Sequence, residues 1–197
     1  METLLAPLPP KAELETPAVL KALISAHRHL AELKGVAKTI PNEGMLISTL
    51  ALQEAQSSSA IENIITTQDQ LFKYQLHNDK VDPVTKEVAF YAQALHLGYH
   101  EVLNAEALTL NTIIEMQEVL EGNRAGFRKT PGTILKNELT GEIVFQPPSP
   151  DKLMGYMADL EQFINTDQSL DPLVCMALIH HQFETIHPFY DGNGRTG

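Results

Sequence analysis

The sequence predicts an all-α protein: a helical bundle interrupted once by a β-hairpin that lies over it as a flap. Three observations carry this. A cap-plus-proline start recurs four times, at Thr16-Pro17, Asp82-Pro83, Ser149-Pro150 and Asp171-Pro172. In each, an oxygen-bearing side chain can accept an N–H of the first turn, and proline suits the first helical position because its missing N–H is not needed there. Behind these starts apolar residues recur at helical spacing. Only between Phe127 and Pro148 does the texture change, and there it reads as a hairpin.

In chain order, Met1 to Thr16 is proline-rich and reads as an extended arm. Pro17 opens a helix through Val19, Leu20, Leu23, Ile24, Leu30 and Leu33, expected to close near Gly35. Asn42 starts a second, with Met45, Leu46, Leu50 and Leu52 as its apolar face. The serine-rich stretch Ser57-Ser58-Ser59-Ala60-Ile61-Glu62-Asn63 then reads as a polar break between helices. A third helix covers roughly Gln68 to Leu76, a long one runs from Pro83 to about Leu103, and another from Leu110 to Leu120. Thr133-Ile134-Leu135 and Glu142-Ile143-Val144-Phe145 flank Thr140-Gly141 as the two strands, and Pro147-Pro148 ends them. A lone hairpin is marginal in water, so it is expected to rest on the helical core. Helices return from Pro150 to Asn165 and from Pro172 to Ile186.

Composition narrows the function classes. The 197 residues suffice for one domain or one and a half, and 43% hydrophobic content supports a real core. The net charge is -11, from 14 basic and 25 acidic residues, with no basic cluster to form a nucleic-acid groove. The single cysteine, Cys175, cannot make an internal disulfide and fits a reducing cytoplasm. Met1 to Pro10 lacks the basic start of a signal peptide, and no run reaches the ~18 apolar residues of a membrane span.

The chemistry concentrates in His187-Pro188-Phe189-Tyr190-Asp191-Gly192-Asn193-Gly194-Arg195-Thr196-Gly197. Pro188 disfavours helix at His187, so the preceding helix stops and presents the imidazole at its end. A neutral imidazole can take a proton from an attacking hydroxyl. Gly192, Asn193 and Gly194 make either a plain turn or a nest whose N–H groups converge on an anion. Arg195 adds a planar fork that fits phosphate, and with Thr196 and Gly197 it should begin a helix whose first N–H groups face that phosphate. Asp191 is either a helix cap or a hard-oxygen ligand for Mg²⁺. Phe189 reads as a packing anchor and Tyr190 as exposed filler. His180, His181, Glu184 and His187 have the wrong spacing for a zinc site, and helix-surface roles suit them better.

His187 through Arg195 resembles the signature loop of Fic-domain proteins, His-x-Phe-x-(Asp/Glu)-Gly-Asn-Gly-Arg-x-x-Arg. The closing arginine of that signature would follow Gly197, so the chain is read as a fragment lacking the C-terminal part of a Fic core. The resemblance implies a Fic-type helical bundle with residues 1–95 as an N-terminal helical region and 96–197 as the core with flap and loop. It implies a protein adenylyltransferase that uses ATP and Mg²⁺. His187 would be the base, Asp191 the metal ligand, and Gly192, Asn193, Gly194, Arg195, Thr196 and Gly197 the ATP-phosphate site. The partner would be a target protein bearing a Ser, Thr or Tyr hydroxyl, pinned by Thr130, Pro131, Gly132, Thr133 and the hairpin that follows. Such proteins often pair as homodimers.

Ser58-x-x-x-Glu62-Asn63 resembles the inhibitory motif that accompanies Fic domains, (Ser/Thr)-x-x-x-Glu-(Gly/Asn). A carboxylate in an anion site repels the γ-phosphate and pairs the arginine meant for it. In the family that arginine is the closing one, so Glu62 is expected here to lack its usual partner. Similar enzymes use this glutamate to remove AMP as well. Two rival readings stand beside AMP transfer. Phosphoryl or phosphocholine transfer is one, although the phosphorylating relative carries lysine where Gly194 stands. A non-catalytic nucleotide-binding or interaction module is the other.

Overall fold

In the computed structural model residues 5–77, 82–137, 139–166 and 169–197 are described, without the side chains of Glu43, Met45 and His77. They form eight helices and one two-stranded antiparallel sheet, in the order α1 (Pro17–Ala37), α2 (Glu43–Ile61), α3 (Gln68–His77), α4 (Pro83–Ala105), α5 (Leu110–Glu121), β1 (Leu135–Lys136), β2 (Ile143–Phe145), α6 (Pro150–Asn165), α7 (Pro172–Ile186) and α8 (Asn193–Thr196). The helical bundle with a hairpin is as the sequence predicts. All four cap-plus-proline pairs start helices. Thr16, Asp82 and Asp171 accept the N–H groups of Val19, Thr85 and Leu173, whereas Ser149 makes no such side-chain cap.

Two cores hold the bundle. One gathers Ile113, Phe127, Leu153, Met157, Leu160, Phe183, Ile186 and Phe189, joining α5, α6 and α7 to the start of the flap and to the signature loop. The other packs Leu52 and Ala55 of α2 and Leu71 of α3 against Val88, Ala89 and Ala92 of α4. α4 and α5 share the closest approach, with Met116 filling the space where Gly98 has no side chain. Residue 95 lies inside α4, so one continuous helix serves both halves of the chain.

Four expectations are corrected. α1 continues through Gly35 to Ala37, and none of its residues is fully buried: Val19 and Leu23 are half-buried, while Leu20, Ile24, Leu30, Leu33 and Val36 stay exposed. It is held by its N-terminal end and by His27, whose Nε2 lies 2.7 Å from Asp171 Oδ2. The buried stripe of α2 is Ala51, Leu52, Ala55 and Ser59; Leu50 is exposed and Met45 lies outside the described side chains. Small side chains let α2 lie close to α4, so they outweigh the larger apolar residues in placing that face. Ser57 to Ile61 are no break; they are the last turn of α2. The strands are shorter than predicted: the ladder pairs only Leu135 with Phe145 and Lys136 with Ile143, with a register shift between Leu135 and Lys136, and Thr133, Ile134 and Glu142 lie outside it. Asn137 then closes the turn, taking the N–H groups of Leu139 and Thr140 on its side chain and that of Gly141 on its carbonyl.

Candidate active site

α7 delivers His187. Its N–H still reaches Phe183 O at 2.9 Å, but φ of 50° and ψ of 63° put it in the left-handed region, directly before Pro188. That is a costly backbone for a residue with a Cβ, and more so before proline. Arg128 compensates. Its Nε donates to His187 O at 2.8 Å, its Nη2 to Ile186 O at 3.1 Å, and its own backbone N–H to Pro188 O at 2.9 Å. Nη2 also holds Pro148 O, where the hairpin returns, at 2.6 Å.

The imidazole is half-buried. Burial first, then the Arg128 charge, hold its pKa below the ordinary 6.5, with Glu184 and Asp191 opposing weakly. Nδ1 is buried and makes no well-formed hydrogen bond among the described residues. A histidine in this state is neutral near pH 7 and can accept a proton.

Beyond Pro188 the loop is shaped from inside. Phe189 is fully buried, 5.1 Å from the ring of Phe127 and 6.3 Å from that of Phe183. Asn193 turns its amide back onto Phe189, accepting its N–H at 2.8 Å and donating to its C=O at 3.0 Å. This side chain therefore builds the loop, leaving only its backbone N–H for a ligand. Gly192, at φ 72°, makes the left-handed turn into α8 and has no room for a Cβ beside Glu121. Thr196 spends its hydroxyl on Gly192 O, and Gly197 O meets His180 Nδ1. Asp191 sits at the exposed rim, with Oδ1 fixed by the N–H of Gly192 at 2.8 Å.

Arg195 is buried and ringed by acids. Nη1 reaches Glu87 at 2.8 Å, Nη2 reaches Glu121 at 2.8 Å, and Glu62 Oε2 lies 2.6 Å from Nε, off the line of its N–H. Glu62 thus pairs with Arg195, a different arginine from the closing one of the signature. Its other oxygen lies over Gly194, only 2.8 Å from where a Cβ would stand. The end of α2 explains how it gets there. Ile64 N–H returns to Ser59 O and Asn63 N–H to Ala60 O, with Asn63 at φ 63°. This is a Schellman ending, in which asparagine tolerates the left-handed position and Glu62 is thrown off the helix tip. Ser58 points elsewhere, donating to Glu54 and accepting from Tyr91.

Thr130, Pro131, Gly132 and Thr133 form the flap's first stretch. Pro131, Gly132 and Thr133 line, with Arg128 and Gln146 to Lys152, a cavity of about 550 Å³ at the hairpin's root; Thr130 does not reach it. Tyr190 is exposed, but it is not filler: its hydroxyl accepts from Lys129 N at 2.8 Å and meets Thr130 Oγ1 at 3.3 Å, tying loop to flap. Sequence reasoning missed Arg128, Glu87 and Glu121. The acids lie 108 and 74 residues from Arg195 and carry no motif. The only available signal was that a buried arginine must find acceptors somewhere.

Comparison with known proteins gives this geometry its relatives. The family model "Fic/DOC family N-terminal" matches residues 20–100 and "Fic/DOC family" matches residues 107–197. The chain is 30% identical over 97 residues to protein adenylyltransferase fic-1 of Caenorhabditis elegans, covering 46% of this chain and 18% of that protein. It is 32% identical over 107 residues to protein adenylyltransferase Fic of Culex quinquefasciatus, covering 48% and 20%. It therefore spans about a fifth of the length of these curated relatives. Among solved structures it is similar to a Fic family protein of Desulfovibrio desulfuricans, with TM-score 0.69, 25% identity and coverage of 92% of this chain and 55% of that one. A Fic-domain signalling protein of Bacteroides thetaiotaomicron shares the fold at TM-score 0.65 and 23% identity, over 75% of this chain and 59% of that one. Matched in both halves of its length and in its fold, the chain belongs to the Fic/DOC family.

Proposed function

We propose that this chain carries the active centre of a protein adenylyltransferase, which moves AMP from ATP to a Ser, Thr or Tyr hydroxyl of a target protein, and that Glu62 holds it off. The observation that carries the reading is the Glu62 carboxylate, seated against Gly194 and Arg195 beside a neutral, half-buried His187. An anion of the chain itself occupies the place where a loop of this composition would take a phosphate.

In the proposed reaction the target hydroxyl loses its proton to His187 as its oxygen attacks the α-phosphorus. The bond from that phosphorus to the bridging oxygen breaks, pyrophosphate leaves, and AMP remains esterified to the target. The loop's backbone N–H groups and Arg195 would hold the phosphates, so catalysis is positioning and charge stabilisation. Asp191 suits Mg²⁺: Gly192 orients one carboxylate oxygen, and this ion is commonly held by one or two carboxylates with phosphate and water supplying the rest. When bound, the ion would neutralise phosphate charge. The hairpin would dock the target, since Leu139, Ile143 and Val144 are exposed beside it and an open strand edge invites strand addition.

Intact-mass spectrometry after incubation with ATP and Mg²⁺ tests the proposal. Glu62→Gly is expected to take up AMP on itself or on a target, and to do so faster than the intact chain. His187→Ala in the same background is expected to lose this almost entirely, and labelling at the parent rate would sink the proposal. Because the folded pKa of His187 is depressed, transfer should stay level through neutrality and fall only below about pH 6.5. The ring of acids around Arg195 favours a second reading, a binding module that never engages phosphate. ATP labelled at the α- or γ-position separates AMP transfer, phosphoryl transfer and no transfer.

A further inference from the structure

We infer that Arg128 is the positioning residue for His187: one buried guanidinium, rooted where the flap begins, clamps the left-handed end of α7 and so fixes the direction of the imidazole. This deepens the proposed reaction and rests on His187 being its base.

Three successive carbonyls, of Ile186, His187 and Pro188, are satisfied by this one residue, two through its side chain and one through its backbone N–H. Helix ends leave such carbonyls without partners, and here the chain cannot continue helical to supply them. His187 occupies a backbone region that a residue with a Cβ holds only when its surroundings impose it. Arg128 is 2% exposed, and all its hydrogen-bond acceptors among the described residues are carbonyl oxygens. A guanidinium buried without a carboxylate is costly, and its planar fork is the feature that no shorter or rounder cation reproduces.

The clamp has a second end. Nη2 also holds Pro148 O, where the hairpin rejoins α6, so both roots of the flap meet at the base of His187. Target docking and base position would then share one residue. The charge matters separately from the fork, because it lies close enough to oppose protonation of the imidazole. The charged groups acting on His187 are Arg128 and Asp191; Glu184, on its own helix, acts only through its backbone.

The test is an NMR titration of the His187 ring in this chain, in Arg128→Lys and in Arg128→Gln, with His187→Ala to assign the signal. Arg128→Lys keeps the charge and loses the fork. It is expected to move the His187 backbone resonances while leaving the ring's midpoint low. Arg128→Gln loses both and is expected to raise the midpoint toward 6.5 as well. In the Glu62→Gly background, Arg128→Lys should slow AMP transfer about 100-fold with ATP affinity unchanged, the effect of a base misplaced by about an ångström.

A folded Arg128→Gln with unchanged His187 midpoint and backbone shifts overturns the inference, as does transfer by Arg128→Lys at the parent rate. Should Arg128→Gln fail to fold, Arg128→Lys carries the test through its backbone shifts and rate. If Glu62→Gly itself transfers nothing, the proposed function fails, while the NMR titration still decides the role of Arg128.

Discussion

The two ends of the signature loop are held by opposite means. At the His187 end the contacts are directed hydrogen bonds to the backbone: the Arg128 guanidinium on carbonyl oxygens, and the Asn193 amide folded onto Phe189. At the Arg195 end the partners are three carboxylates, Glu62, Glu87 and Glu121. Hydrogen bonds that end on backbone groups are lost only if the backbone moves. Ion pairs can be exchanged for another anion without any such movement. One end is therefore fixed by the backbone it holds, and the other by ion pairs that, in the proposed function, a phosphate would replace.

Several experiments would break or sharpen this contrast. The largest effect is expected from Phe189→Ala, which empties the centre of the aromatic cluster and should cost about 3–5 kcal/mol in urea unfolding. A loss under about 1 kcal/mol would mean that the loop is not anchored in the core. Asn193→Ala should follow, at about 2–4 kcal/mol, because it strands a buried N–H and a buried C=O of Phe189. By contrast, Glu62→Gln should change stability by about 1 kcal/mol or less, since its carboxylate is a third exposed and Arg195 keeps two other acids. A cost matching that of Asn193→Ala would erase the distinction between the two ends.

The acids also give a pH signature. Burial lifts Glu121 and Glu184 above the ordinary glutamate value of 4.5. A raised carboxyl contributes stability that is complete below its unfolded pKa and is lost as pH rises through its folded one. Glu184→Gln removes that loss, so its stability relative to the parent should grow as pH rises above 4.5. A flat difference would show that Glu184, whose Oε1 is buried without a partner, is not desolvated in solution. The smallest effect is expected at Gly194. An added Cβ meets only the mobile end of Glu62, so Gly194→Ala should barely alter stability while pushing that carboxylate aside. If it destabilises as much as a core substitution, Glu62 is locked rather than exchangeable.

Much of this was legible along the chain. The cap-plus-proline pairs placed α6 and α7 to the residue, because helix starts are local chemistry. The loop announced its histidine, its glycines and its arginine for the same reason. Other features were misread where neighbours in space decide. The serine run looked like a break, since serine favours turns, yet Ser59 is buried within α2. Tyr190 looked idle because nothing near it in sequence reveals that Lys129 and Thr130 lie against its hydroxyl.

The sequence by itself determined the helices, the hairpin and the residue types of the site, since dihedral preferences and capping act within a few residues. Only the tertiary structure decided what those residues face. Arg128 finds the end of α7, Glu62 finds Arg195, and α1 keeps most of its apolar residues exposed, because burial and charge pairing depend on distances that chain order does not encode.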